Sequence, residues 1–272
     1  MRSRSDLARL SDLKSWLGIS SGDDDFLLER LITQTSRAIL GYLNRPSIVP
    51  EIYTENFDGG NQASILLKQW PVISVDSCKI NGVSVPIVAG DGTQMLGCVV
   101  DVGDSIPPGR MQRLSLLGGT FAAGFQNVSI SYCAGYQVTD ENGVVPSTAP
   151  FDLDVIAPFG DFASDVGVRD GNGARFSKVV SDPGSGEYAC SDGVYSFSSV
   201  DAGRSVQMSY GYVPADLGRS CIDWVADQYQ YRTRIGQHTK SLGGQESVSY
   251  IVKDMPDVTK IVLQPYRRIV TP

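Results

Sequence analysis

The chain has 272 residues, of which 42% are hydrophobic and 19% charged, with a net charge of −7. That is the composition of an ordinary globular protein with ample core material and, by length, about two domains. No run approaches the ~18 apolar residues of a membrane-spanning helix, and the acidic balance excludes wrapping nucleic acid through clustered phosphate contacts. The five cysteines (Cys78, Cys98, Cys133, Cys190, Cys221) are scattered, without a CxxC pair. With no apolar signal segment near Met1, they predict a reduced cytoplasmic setting.

Residues 1–6 are short and polar, with Arg2 and Arg4, and read as a loose terminus. Ser11 is placed to cap a short helix through Leu13, Trp16 and Leu17, closed by Gly18. A stronger helix follows, with Asp23, Asp24 and Asp25 at its start and an apolar stripe of Leu28, Leu31, Ile32, Thr35, Ile39, Tyr42 and Leu43. Helix capping explains the aspartate triplet better than a metal site does. Asn44-Arg45-Pro46 ends the helix, because the residue before a proline avoids the α region.

From Ile52 the pattern turns to strands: 53–57, 63–67, 72–75, 78–80, 83–88, 98–102, 113–117 and 128–132. Asn81-Gly82 is a strong hairpin signal. Val128-Ser-Ile-Ser-Tyr-Cys-Ala-Gly-Tyr136 is then echoed by Val206-Gln-Met-Ser-Tyr-Gly-Tyr212. The β-rich, Gly-rich stretch between the two copies is long enough for a small sandwich, and its position marks it as an insertion whose two ends lie close together. Surface insertions of this kind cost little, about 0.6 kcal/mol per doubling of loop length.

Val213 to Gly244 reads as a helix followed by an irregular, Gly-rich arm. Pro214 suits the first helical position and Gly236 the position just past the end. Leu217, Cys221, Trp224, Val225, Gln228 and Tyr229 share one face, and Arg232 and Arg234 sit in the last turn, where they complement the helix dipole. The prediction is an α+β chain. A small helical bundle, made of two N-terminal helices plus one long C-terminal helix, joins a β-rich body and an inserted β-sandwich-like domain. Residues 1–136 and 212–272 form one domain and 137–211 the insert.

Catalytic chemistry finds no foothold. The single histidine, His238, lies on the arm, where groups are not held with the precision catalysis needs. No nucleophile elbow, clustered Cys/His zinc ligands, P-loop or dinucleotide fingerprint is present. Asp170-Gly-Asn-Gly173 begins like a calcium loop, but Ala174 stands where the next oxygen ligand belongs. The reading is therefore not an enzyme, with no catalytic residue, cofactor or metal; the chain binds and assembles.

Several segments occur in a telling order: LSDLKSWLGI, DDDFLLERLITQTSRAILGYLNR, QWPVISVDSCKINGV, VSISYCAGY, VPADLGRSCIDWVADQYQYRTRIG, and finally SLGGQESVSY with LQPYRR. This order resembles the tailed-phage head–tail connector (adaptor) proteins across residues 9–136 and 212–272, while 137–211 is a departure from the compact members. The resemblance implies a virion protein of the phage neck: a twelve-fold homo-oligomeric ring joining the portal protein to a stopper or tail-completion protein. Genome DNA crosses its channel without sequence-specific binding, no membrane is involved, and assembly takes place in the host cytoplasm. An acidic surface suits a channel that lets DNA pass. The arm residues Gln237, His238, Thr239, Lys240, Ser241 and Leu242, and the tail residues Pro265, Tyr266, Arg267 and Arg268, are the expected portal or subunit contacts. The competing expectation is a binding or decoration module whose insert recognises a carbohydrate or host surface through Tyr188, Tyr195 and Phe197.

Overall fold

The computed structural model describes residues 5–89, 93–101, 111–232, 239–242, 246–249 and 255–268, with 239–242 and 246–249 described by backbone alone. The chain is α+β and divides into two units: residues 1–46 with 214–272, and residues 47–213.

The first unit is helical. Its helices are α1 (Leu10–Leu17), α2 (Asp25–Leu43), α3 (Ala215–Tyr231) and α4 (Asp257–Leu263). Arg9, not Ser11, occupies the N-cap of α1; Ser11 lies inside the helix and its hydroxyl donates to Asp12 at 3.1 Å. Gly18 closes that helix in the left-handed conformation (φ 69°), and Asn44 does the same for α2 (φ 54°). Pro214 is the N-cap of α3 instead of its first helical residue.

The buried faces follow the sequence stripes. Leu28, Ile32, Ile39 and Leu43 of α2 and Leu217, Cys221, Trp224 and Val225 of α3 are buried. Between these helices the Ser36 hydroxyl accepts the Leu7 N–H at 2.9 Å and lies 3.6 Å from the Cys221 sulfur. Burial pushes the Cys221 thiol up to about 12, so it is inert packing. Helix α4 has no counterpart in the sequence reading, although Met255, Thr259 and Leu263 recur every four residues and are all buried.

The second unit holds two β-sandwiches with separate cores. The strands of the first are β1 (Glu51–Gly59), β2 (Ser64–Leu66), β3 (Val72–Ile80), β4 (Val83–Val85), β5 (Gly97–Val100), β6 (Arg113–Leu117) and β7 (Gly124–Ala134). They form sheets ordered β1-β7-β3-β4 and β2-β6-β5. Ile65, Cys78, Cys98, Leu114, Ile130 and Tyr132 meet in the core between them.

The strands of the second are β8 (Gln137–Val144), β9 (Asp152–Asp154), β10 (Gly160–Asp170), β11 (Ser177–Lys178), β12 (Glu187–Ser191), β13 (Val194–Phe197) and β14 (Ser205–Pro214), in sheets ordered β10-β14-β8 and β11-β12-β13-β9. Phe162, Tyr188, Tyr195, Phe197, Met208 and Tyr210 form its core. Tyr188, Tyr195 and Phe197 are thus 2%, 0% and 5% exposed, which corrects their reading as a recognition platform. Alternate positions of a half-buried strand face the core, and these are the inward ones.

The two sandwiches share one topology. In each, the first strand pairs with the last, the last with the third, the second with the sixth and the sixth with the fifth. Only the fourth strand differs, β4 pairing with β3 and β11 running parallel to β12. The echoed sequence is the last strand of each copy. Val128, Ile130 and Tyr132 point into the first core as Val206, Met208 and Tyr210 point into the second.

Even the polar detail repeats. Tyr132 donates to Glu55 at 2.7 Å and accepts the Gln69 N–H at 3.0 Å; Tyr210 donates to Glu141 at 2.5 Å and accepts the Ala157 N–H at 3.0 Å. Each glutamate sits on the neighbouring strand opposite the residue two before the tyrosine, at Ile130 and Met208. Burial first, then the carboxylate, raises both phenols above their ordinary range. Replacing either tyrosine with phenylalanine strands a backbone N–H, so each is expected to cost ~1–3 kcal/mol in urea unfolding. A loss at one site without a loss at the other would break the equivalence.

The two Gly-Tyr ends meet. The Tyr136 and Tyr212 rings lie edge to face at 5.8 Å, and the Tyr212 N–H donates to the Tyr136 carbonyl at 3.0 Å. The chain therefore leaves the first sandwich and returns from the second at one joint.

Candidate functional site

The expected contact residues fall into two groups. Gln237 and His238 lie outside the described residues. Thr239, Lys240, Ser241 and Leu242 form β15 (Thr239–Leu242), which pairs antiparallel with β16 (Glu246–Ser249). This part of the arm is a two-stranded ribbon and not the irregular segment expected.

The tail residues are seated on their own helical unit. Pro265 is exposed, while the Tyr266 hydroxyl donates to both carboxylate oxygens of Asp216 at 2.7 Å. The Arg267 guanidinium lies 5.1 Å from the centre of the Tyr42 ring. The Arg268 N–H donates to the Leu43 carbonyl at 2.8 Å, and the Asn44 side chain donates to the Arg268 carbonyl at 3.3 Å. The tail thus closes over the C-terminal end of α2, with the Arg267 side chain exposed and Arg268 half-buried, its Nε fully so.

A second cluster, not found from sequence, fixes the other end of these helices. Asp24 accepts from Arg232 at 3.0 and 3.3 Å and from the Tyr229 hydroxyl at 2.5 Å, so it does not cap its helix with its side chain. Asp25 pairs with Lys14 at 2.7 Å. Two of the three aspartates expected as caps are therefore ion-pair partners. The Asp170 carboxylate is likewise spent locally, accepting the Asn172 and Ala174 N–H groups of its own turn.

Hydrogen bonding from Arg232, then from Tyr229, holds the Asp24 carboxyl below its ordinary value. A depressed carboxylate contributes stability that is full above its unfolded pKa and is lost as pH falls through the folded one. The stability difference between wild type and Asp24→Asn is therefore expected to be full near pH 7 and to shrink below about pH 4. A difference that stays constant through that range in urea unfolding refutes the linkage.

Charge is segregated between the units. Residues 1–46 and 214–272 carry 15 Lys/Arg against 12 Asp/Glu, whereas 47–213 carry 8 against 18. Large apolar side chains are exposed at one end of the first sandwich: Val83 (69%), Met95 (87%), Leu96 (67%) and Phe125 (82%). In the helical unit Phe26, at the start of α2, is 80% exposed. No helix among the described residues is long and apolar enough to cross a membrane.

Comparison with known proteins gives one family. Residues 7–67 match the model of the phage gp6-like head-tail connector protein, a stretch that takes in α1, α2, β1 and β2. The head–tail connector resemblance, drawn across residues 9–136 and 212–272, is supported by this match over residues 7–67. A similar solved structure, 12% identical over 98% of this chain and 93% of its own with a TM-score of 0.41, is from the neck of an empty GTA particle computed with C6 symmetry. No curated protein matches.

Proposed function

We propose that the protein is a non-enzymatic structural component of the phage neck that forms a ring between the portal vertex and the tail or stopper, with genome DNA crossing its channel. The observation that carries this reading is the gp6-like connector match over residues 7–67. The organisation of the helical unit supports it. Helices from both chain termini are locked together at one end by Asp24, Tyr229 and Arg232 and covered at the other by Tyr266 to Arg268.

In this reading residues 1–136 and 212–272 are the connector and 137–211 an accessory copy of its sandwich. The β15–β16 ribbon and the tail are the portal or neighbour contacts, the ring is twelve-fold, and assembly occurs in the host cytoplasm. A two-stranded ribbon alone is marginal in water, which suits a segment completed by docking.

Electron microscopy and native mass spectrometry of the purified chain with its portal ring test the reading. The expected product is a ring of connector subunits on the portal; no association at micromolar concentration overturns it. Deleting 264–272 is expected to leave the fold standing and weaken portal attachment at least tenfold. Unchanged attachment removes the tail from the contact.

A further inference from the structure

We propose that the apolar tip of the first sandwich docks on the exposed face of α2 in a second copy of this chain, forming a head-to-tail contact. This rests on the ring reading above and supplies its two lateral surfaces.

The tip is built to stay rigid with apolar groups in water. Phe125 is flanked by Gln126 in the left-handed region (φ 45°), whose N–H donates to Asp58 at 2.6 Å. The Asn127 side chain accepts the Gly59 N–H at 2.9 Å and donates to the Ala122 carbonyl at 2.9 Å and to Asn81 at 3.1 Å. Asn61 accepts the Ala123 N–H at 3.1 Å. Four side chains thus brace the loop around one exposed aromatic. Met95 and Leu96 are held close by Gly118, whose Cβ position lies 2.5 Å from the Met95 carbonyl oxygen and 2.6 Å from Leu96 Cδ2. A preorganised apolar tip loses little conformational entropy on docking, and clustered exposed apolar groups mark an interaction surface.

Charge selects the occupant. With 8 basic against 18 acidic residues, the β unit repels phosphate backbones and anionic lipid and favours a cationic partner surface. The helical unit of another copy is such a surface. The exposed row of α2 carries Phe26, Arg30, Gln34, Arg37 and Gly41, at helical spacing and without a carboxylate. Arg30 and Arg37 make no ion pair among the described residues. Aromatic and arginine side chains are the types that anchor interfaces. Because the two surfaces differ, the contact propagates and closes only by rotation, as a ring does.

Sedimentation of three proteins tests the assignment: wild type, a tip variant (Phe125→Ser with Met95→Ser) and a face variant (Arg30→Glu with Arg37→Glu). All substitutions are at exposed positions, and matching thermal melts verify the folds. Wild type is expected to assemble beyond a dimer, more weakly as salt rises, and each variant alone to be monomeric. The equimolar mixture of the two variants is expected to stop at a heterodimer, since it retains one intact pair of surfaces. Variants that assemble like wild type overturn the two surfaces and leave the ring standing. A mixture that stays monomeric overturns the pairing. A wild-type protein that never assembles, with or without portal, overturns the ring and the contact together. A face variant that assembles normally but loses binding to duplex DNA assigns α2 to nucleic acid and refutes the proposal.

Discussion

Replacing Gly135 with alanine is expected to remove roughly 3–5 kcal/mol from the stability of the β unit, the sum of backbone strain and overpacking. Gly135 has φ 148°, a region that side-chain-bearing residues rarely adopt, and its Cβ position lies 2.5 Å from Pro50 N and from the Val49 carbonyl carbon and oxygen. These are backbone atoms and cannot rotate away. Nor can the strand shift freely, because the Gly135 N–H donates to the Pro71 carbonyl at 2.8 Å and the next residue donates to the Ile48 carbonyl at 2.9 Å. Against a typical total of about 5–15 kcal/mol, such a loss leaves a marginal protein. Urea unfolding followed by tyrosine fluorescence measures it, and a wild-type midpoint would mean that the Val49–Pro50 segment yields. Gly211 presses on the same proline from the second copy, its Cβ position 2.4 Å from Pro50 Cδ and 2.5 Å from Ser164 Oγ. Its alanine variant is expected to destabilise less, since Gly211 lies outside the left-handed region and the Ser164 hydroxyl can rotate away, although the Pro50 ring cannot.

Leu217→Ala is expected to cost ~2–5 kcal/mol, the range for emptying a fully buried leucine site. Leu217 is 0% exposed at the start of α3, one turn before Cys221 and in the same buried stripe as Val225. The range reflects how far a site can collapse around the missing atoms. Here the first turn of α3 is tied through Asp216, which accepts the Leu217 N–H at 3.0 Å and also holds Tyr266, so collapse is resisted and the upper half of the range applies. The same change should loosen the tail, read as faster proteolysis after Arg267 or Arg268. A loss below about 0.5 kcal/mol, the level of an ordinary surface substitution, would place the stripe elsewhere.

Much of the fold is legible locally. The helix stripes, the left-handed residues Gly18 and Asn44, the Asn81-Gly82 turn and the tyrosine-ended strands all declare themselves within a few residues. The repeated topology is less visible. Only the last strand keeps its sequence, because Tyr132 and Tyr210 must find both a carboxylate and an N–H, whereas β2 and β9 need only one inward apolar residue each. Helix α4 escapes notice because it is short and its exposed Val258 and Ile261 blur the buried stripe. Long-range polar partners are the least legible. Asp24 looks like a cap until Arg232 is brought to it from the far end of the sequence, and the carboxylate that receives Tyr266 lies in α3. The surface of the proposed tip is hidden for a related reason. Phe121 is buried and Phe125 is 82% exposed, a difference that no local pattern in the sequence marks, and the Asn127 bonds that brace the intervening turn reach residues far away in the chain.

The joint at Pro50 also bears on how much chain the body can carry. Because Tyr136 and Tyr212 stand together and both glycines close on one proline, the polypeptide arrives at the same place whether it has traversed one sandwich or two. A segment that begins and ends at that seam can be added or removed without rerouting the downstream chain.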